Sequence, residues 1–186
     1  MSLIETLKLR AGNYFLKNDL ANMQRIPQLV SFSQAKSIGI LYKVVDNNEY
    51  NFICDFVKYC QDNGKSVKAL GYVIYKEVPH FCFPKLSYDY FTQKDIGWNL
   101  IPKNQFVKAF IDEDFDNLID LSIKDCFPTN YISAKSKAKF KIGRFKSENQ
   151  KYYDFMLNVT EDTSINDYID HLKNYLTIFN NSKHEQ

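Results

Sequence analysis

Glycine and proline are scarce in this 186-residue chain, at 6 and 5 residues. The first apolar run ends in Lys43-Val-Val-Asp-Asn-Asn48, with no glycine where a GxGxxG loop would stand. A backbone without glycine does not approach a pyrophosphate closely, so dinucleotide binding is not expected. GxxxxGK[ST], GxSxG and HExxH are also missing, and no catalytic constellation can be argued from spacing. The four cysteines (Cys54, Cys60, Cys82, Cys126) form no CxxC pair, and His80 alone lies near one of them. Free buried thiols in a reducing cytosol are expected, with no metal site and no cofactor. No apolar run approaches the roughly 18 to 20 residues that span a bilayer. Glu5, Lys8 and Arg10 interrupt the N-terminal apolar residues before a signal sequence can develop. The expected location is cytoplasmic, with no membrane partner.

What is present is an ordinary globular balance, 45% hydrophobic and 25% charged, unusually rich in rings: 15 Phe and 13 Tyr. The length suits one domain with a proper core and is too short for two. Leu3, Leu7, Ala11, Tyr14 and Phe15 recur at helical spacing, which predicts a helix over residues 1 to about 24, best packed across the domain. Ser37 to Val45 is a nearly continuous apolar run, the mark of a strand buried on both faces. Asp46, Asn47 and Asn48 then cap a helix carrying Tyr50, Ile53, Phe56, Val57 and Cys60 on one stripe, closed by Gly64. Val67 to Ile74 follows as a second strand. Strand, helix and strand in under forty residues predict a right-handed βαβ unit.

The middle is broken by Pro79, Pro84 and Pro102, with a short third strand over Tyr88–Thr92 and a helix from Lys103 to about Asp112. Phe115 to Ser122 reads as a fourth strand, and Pro128 opens a helix ending among Lys135 and Lys137. Phe140 and Ile142 alternate with Lys139 and Lys141, which predicts a fifth strand with one core face and one wet or bound face. Tyr152 to Val159 reads as a sixth strand. Thr163 or Ser164 caps a last amphipathic helix through Phe179. The expected fold is a three-layer α/β domain: a mostly parallel, doubly wound, Rossmann-like sheet of five to six strands with additional N- and C-terminal helices. The strand order is near 3-2-1-4-5, with the sixth at or beyond an edge. Residues 1–30 form the N-terminal helical segment, 31–180 the single α/β domain and 181–186 a polar tail.

Two groups of residues are candidates for function. From Lys135 to Lys151 there are seven basic residues against Glu148 alone. Lys135, Lys137, Lys139, Lys141, Arg144 and Lys146 are the candidates for contact with RNA, a ribonucleoprotein or an acidic protein. Open α/β sheets bind ligands beyond the carboxyl ends of their strands, at the topological switch point. That edge would carry Asp46, Asp120, Ser122, Lys124, Asp125 and Arg144. The plainer account has Asp46 and Asp125 capping the helices that follow, with Arg144 paired to one of them.

Phe115 to Leu121, followed by Ala134-Lys-Ser-Lys-Ala-Lys-Phe-Lys-Ile-Gly-Arg144, resembles the N-terminal Rossmann-like half of heptosyltransferase-type GT-B glycosyltransferases. The likeness covers about thirty residues and implies fold; the chain has no room for the second domain that such catalysis needs. The chain as a whole resembles a family of small uncharacterised cytoplasmic α/β proteins of Bacteroidota. That likeness is carried by Ala35–Leu41, Val67–Tyr72, the Phe-Pro-Lys-Leu run at 83–86, Ile119–Ser122, Ala138–Arg144 and Tyr153–Met156. It implies a stand-alone domain and brings no activity with it. The first functional reading is therefore a non-catalytic cytoplasmic binding or accessory protein acting through the basic residues. The alternative is a phosphate- or nucleotide-binding protein or enzyme with its site at the strand ends, completed by a homodimer.

Overall fold

The computed structural model describes residues 3–21, 23, 25–82 and 86–181, with side chains through Ile178. Residues 1, 2, 22 and 24 of the expected first helix lie outside the described residues. So do Pro84, the start of the Phe-Pro-Lys-Leu run, and residues 182–186 of the expected tail. The chain runs α1 (Leu3–Ala21), β1 (Ser37–Val44), α2 (Asn47–Asp62), β2 (Ser66–Val73), β3 (Tyr88–Thr92) and α3 (Gln105–Asp112). It continues through β4 (Asn117–Asp120), α4 (Phe127–Lys135), β5 (Phe140–Arg144), β6 (Phe155–Leu157) and α5 (Ile165–Asn181). The six strands form one sheet in the order β3-β2-β1-β4-β5-β6, and every neighbouring pair is parallel. The chain winds outward from β1 to β3, returns to lay β4 on the other side of β1, and winds out again. The switch point is the β1–β4 seam.

Local chemistry explains the first βαβ unit. Six of the eight β1 residues are buried, because helices cover both faces of the sheet. Asp46 Oδ1 accepts from the Glu49 amide at 2.9 Å and starts α2. The helix stops at Gly64, whose φ of 76° suits a residue without Cβ. There Gly64 N donates to Gln61 O and Lys65 N to Cys60 O, a Schellman closure. On one side of the sheet, α2 and α5 bury Ile53, Phe56, Tyr168 and Leu172 against Ile38, Ile40, Ile119 and Ile142. On the other, α3 and α4 bury Phe110 and Ile132 against Leu41, Leu70 and Leu118. α1 packs outside α4 through Gly12 and Leu16.

Three expectations need correction. The lysine face of β5 is not wet. Lys141 is 2% exposed, covered by α4, and its Nζ donates to the carbonyls of Ser133 at 2.7 Å and Ala134 at 3.1 Å. The ammonium thus closes the last turn of α4, where helix carbonyls lack internal partners and the helix dipole is negative. Asp125 does not cap α4: the N-cap is Cys126, without a side-chain cap, and Asp125 instead meets Lys146 at 2.7 Å. Arg144 pairs with Glu161, not with Asp46 or Asp125. The strands around this region are also shorter than expected, four residues for β4 and three for β6. Tyr152 and Tyr153, expected in β6, lie before it and pack with α1 and α4.

Burial, helped by the nearby Arg25, pushes the Lys141 amine down to about 7. The unfolded chain holds that proton up to about pH 10.4 and the folded chain releases it near 7, so the lysine makes stability rise with pH between those values. Buried Cys60 and Cys82 act oppositely, because burial raises both thiols and stability falls as the unfolded thiols ionise. Urea unfolding of wild type and Lys141→Met from about pH 7.5 to about 9.5 isolates the lysine, since the thiols cancel. The wild type should gain on the variant by up to about 1.4 kcal/mol per pH unit; parallel curves would show a lysine that keeps its proton.

Candidate functional site

A crevice of about 180 Å³ opens at the carboxyl ends of β1 and β4, at the switch point. Lys43 and Val45 come from the end of β1, and Glu49 and Ile53 from the first turns of α2. Leu121, Ser122, Ile123 and Lys124 come from the segment leaving β4. Glu161, Thr163 and Ile165 close it from the entry to α5. α5 is held in place by Ser164, whose hydroxyl accepts from the Asp167 amide at 3.1 Å and donates to the Asp167 carboxylate at 2.7 Å. Five of the eleven lining residues are aliphatic and four are charged.

Those charges are unequal in their engagements. Lys43 and Lys124 form no ion pair among the described residues. Glu161 is already held by Lys146 at 3.2 Å and Arg144 at 3.4 Å, and those cations keep its carboxyl below the usual range. Partial burial, with Asp46 beside it, raises the Glu49 carboxyl, while Lys124 and Lys43 pull it back. With Glu161 neutralised by its neighbours, the crevice presents two free ammonium groups against one reluctant carboxylate. The Ser122 hydroxyl is buried in this wall and makes no hydrogen bond among the described residues, although it lies close enough to Asp120 to favour ionisation there. At about 30 Å³ per water the volume holds about six waters, which suits a small anion or metabolite and not an enclosed dinucleotide.

Of the strand-end candidates, Ser122 and Lys124 line the crevice and Asp46 caps α2 at its edge. Asp120 lies beneath it, 2% exposed, with its carboxylate turned into the protein. Oδ2 accepts from the Tyr153 hydroxyl at 2.7 Å and the Ser133 hydroxyl at 3.2 Å; Oδ1 accepts from the Ser122 amide at 2.8 Å. Burial raises its carboxyl against the pull of those donors, Tyr153 first. Gly143 makes the room for this contact, since a Cβ there would stand 2.5 Å from the Tyr153 ring. Asp125 and Arg144 lie on the far side of the Ser122–Lys124 segment. Arg144 is spent on structure, donating to the carbonyls of Val159 at 3.0 Å and Ile123 at 2.8 Å.

The basic candidates do not form one surface. Lys135, Lys137 and Lys139 lie where β5 begins, paired with Asp19, Asp112 and Asp116. Arg144 and Lys146 lie where it ends, about 16 Å along the strand, paired with Glu161 and Asp125. Lys141, between them, is buried. Sequence reasoning missed Lys43, Glu49, Glu161 and Thr163 in the crevice. Lys43 was within reach of the strand-end rule, standing one residue before the end of β1; Glu161 and Thr163 enter from the connection to α5, which carries no local signal.

Fold and crevice together define a doubly wound parallel α/β domain with a ligand-sized opening at its switch point. The chain belongs to a family of unknown function (DUF6913), whose model matches residues 8–179. No curated protein and no solved structure matches it. Among the described residues no helix is long and apolar enough to cross a membrane, and no group of three or more His, Cys, Asp or Glu side chains could hold a metal ion.

The Asp120 network has a direct test. Tyr153→Phe removes a buried donor and leaves the carboxylate short of a partner, which should cost about 1–3 kcal/mol. Denaturant unfolding reads this, and an unchanged midpoint would show that Tyr153 does not support Asp120.

Proposed function

We propose that the protein binds a small anionic ligand, of the phosphate or phosphorylated-metabolite class, in the switch-point crevice. The observation that carries this reading is that Lys43 and Lys124, which form no ion pair among the described residues, both line a half-polar cavity at the β1–β4 seam. Two features add to it. The start of α2 stands beside the cavity and favours negative charge. The position is the one at which open α/β sheets bind ligands. The basic residues between Lys135 and Lys146 are a weaker basis for RNA, ribonucleoprotein or acidic-protein binding, because their charges are matched by Asp19, Asp112, Asp116, Asp125 and Glu161.

Thermal unfolding with inorganic phosphate and with a panel of sugar phosphates and mononucleotides tests the reading. A ligand at 100 times its Kd adds about 2.7 kcal/mol, which raises Tm by several degrees for a domain of this size. Lys124→Ala, at an exposed position, should remove that rise while leaving the ligand-free Tm within about a degree; Lys43→Ala, at a half-buried one, should also remove it. No rise with any member of the panel would count against the crevice as an anion site.

A further inference from the structure

α1 is apolar on two sides. Gly12 and Leu16 are buried, and a Cβ at Gly12 would stand 2.5 Å from the Asn99 carbonyl oxygen and 2.6 Å from the Phe127 ring. The opposite side carries Leu3, Ile4, Leu7, Tyr14 and Phe15, between 41% and 79% exposed. At 3.6 residues per turn these five and Ala11 share about a third of the helix circumference. The stripe continues off the helix. Tyr14 meets Phe15 at 5.8 Å between ring centroids, and Phe15 meets Trp98 at 6.4 Å. Trp98 is 65% exposed on a tight turn closed by Leu100 N to Gly97 O and Gly97 N to Ile101 O, both 2.9 Å. Leu100 in that turn has a φ of 62°, a region leucine rarely enters.

We propose that this face is the interface of a symmetric dimer, α1 lying antiparallel against α1 of a second copy. Area is the first argument. Leu3, Ile4, Leu7, Tyr14, Phe15 and Trp98, all exposed, together present on the order of 700 Å², above the roughly 300–600 Å² of the largest patch on a typical monomer and near the roughly 800 Å² each partner gives up in a standard interface. Self-complementarity is the second. The aliphatic residues occupy the first half of the stripe and the aromatic ones the second. One two-fold axis near the level of Leu9 sets Leu3 opposite the second copy's Tyr14, Ile4 opposite its Phe15, and Leu7 opposite its Ala11. Trp98 flanks the pocket that receives Ile4. The two outer matches each fall on one flank of the helix pair, as a two-fold requires, Leu7 and Ala11 meet near its centre, and the helix dipoles run in opposite directions.

The flanks make the dimer distinguishable from other occupants. Lys8, Arg10 and Lys17 edge the stripe and form no ion pair among the described residues. A two-fold brings Arg10 near its own mate, so added salt should tighten the dimer by screening that repulsion. An acidic partner would instead be weakened by salt.

Trp98 is the only tryptophan and reports directly on the face. Sedimentation velocity on the full chain between about 1 and about 100 µM brackets a dissociation constant of about 10 µM. The expected result is conversion from monomer to dimer, with a blue shift of Trp98 emission and a roughly twofold or larger fall in acrylamide quenching. Leu7→Glu and Tyr14→Glu replace exposed residues; both should stay monomeric with unchanged circular dichroism. A monomer at 100 µM overturns the proposal. So does a dimer in which Trp98 stays fully quenchable, or one that survives both substitutions.

Discussion

The buried carboxylate of Asp120 is the constraint around which this structure is arranged. It sits at the end of a central strand, where both sheet faces are covered and water cannot solvate it, so its acceptors must be filled from within. Tyr153 reaches it from the β5–β6 connection, Ser133 from α4 and the Ser122 amide from the turn leaving β4. Tyr168 of α5 donates to the Asp120 carbonyl at 3.3 Å. One residue thereby fixes the relative positions of two helices and two strand connections. Gly143 is part of the same arrangement, because a side chain there would exclude the Tyr153 ring.

The crevice owes its shape to that arrangement. Ser122 cannot move far while its amide holds Asp120, and Ile123 is fixed through its carbonyl on Arg144. The wall contributed by the segment leaving β4 is therefore held in place and carries Lys124, while Lys43 comes from the end of β1 across the crevice. A wall fixed in this way lowers the ordering cost of binding, whereas each long lysine side chain that a ligand immobilises adds about 0.5–1.5 kcal/mol to it.

The first half of the fold was legible because its signals are local. A continuous apolar run marks β1, Asp46 and Gly64 bracket α2, and right-handed crossovers then leave few strand orders to choose from. The second half misled where tertiary contact decides. Alternation of Phe140 and Ile142 with lysines reads as a half-wet strand, and only the position of α4 makes Lys141 a buried donor. The basic run looked continuous because sequence does not show that a strand carries its two ends to opposite edges of the sheet. The partners that neutralise it, from Asp19 to Glu161, are scattered along the chain. Residues 115–144, where a glycosyltransferase-like half was expected from sequence, form one strand-helix-strand unit, β4–α4–β5, a building block that folds of many functions share. At the crevice, Ser122 and Lys124 could be named because they directly follow a strand, whereas Glu161 and Thr163 arrive from a connection whose path sequence does not reveal.

Lys141 also bears on the order in which the chain acquires its structure. α4 leaves the ribosome before the lysine that closes its last turn, and at nine residues it is too short to persist alone in water. Its final carbonyls stay hydrated until β5 pairs with β4 and carries the amine beneath them. The first βαβ unit, with both ends of α2 closed by adjacent residues, has no such dependence. The two windings thus differ in how their helices are closed: α2 is capped by its sequence neighbours, whereas the last turn of α4 depends on a lysine that the next strand supplies.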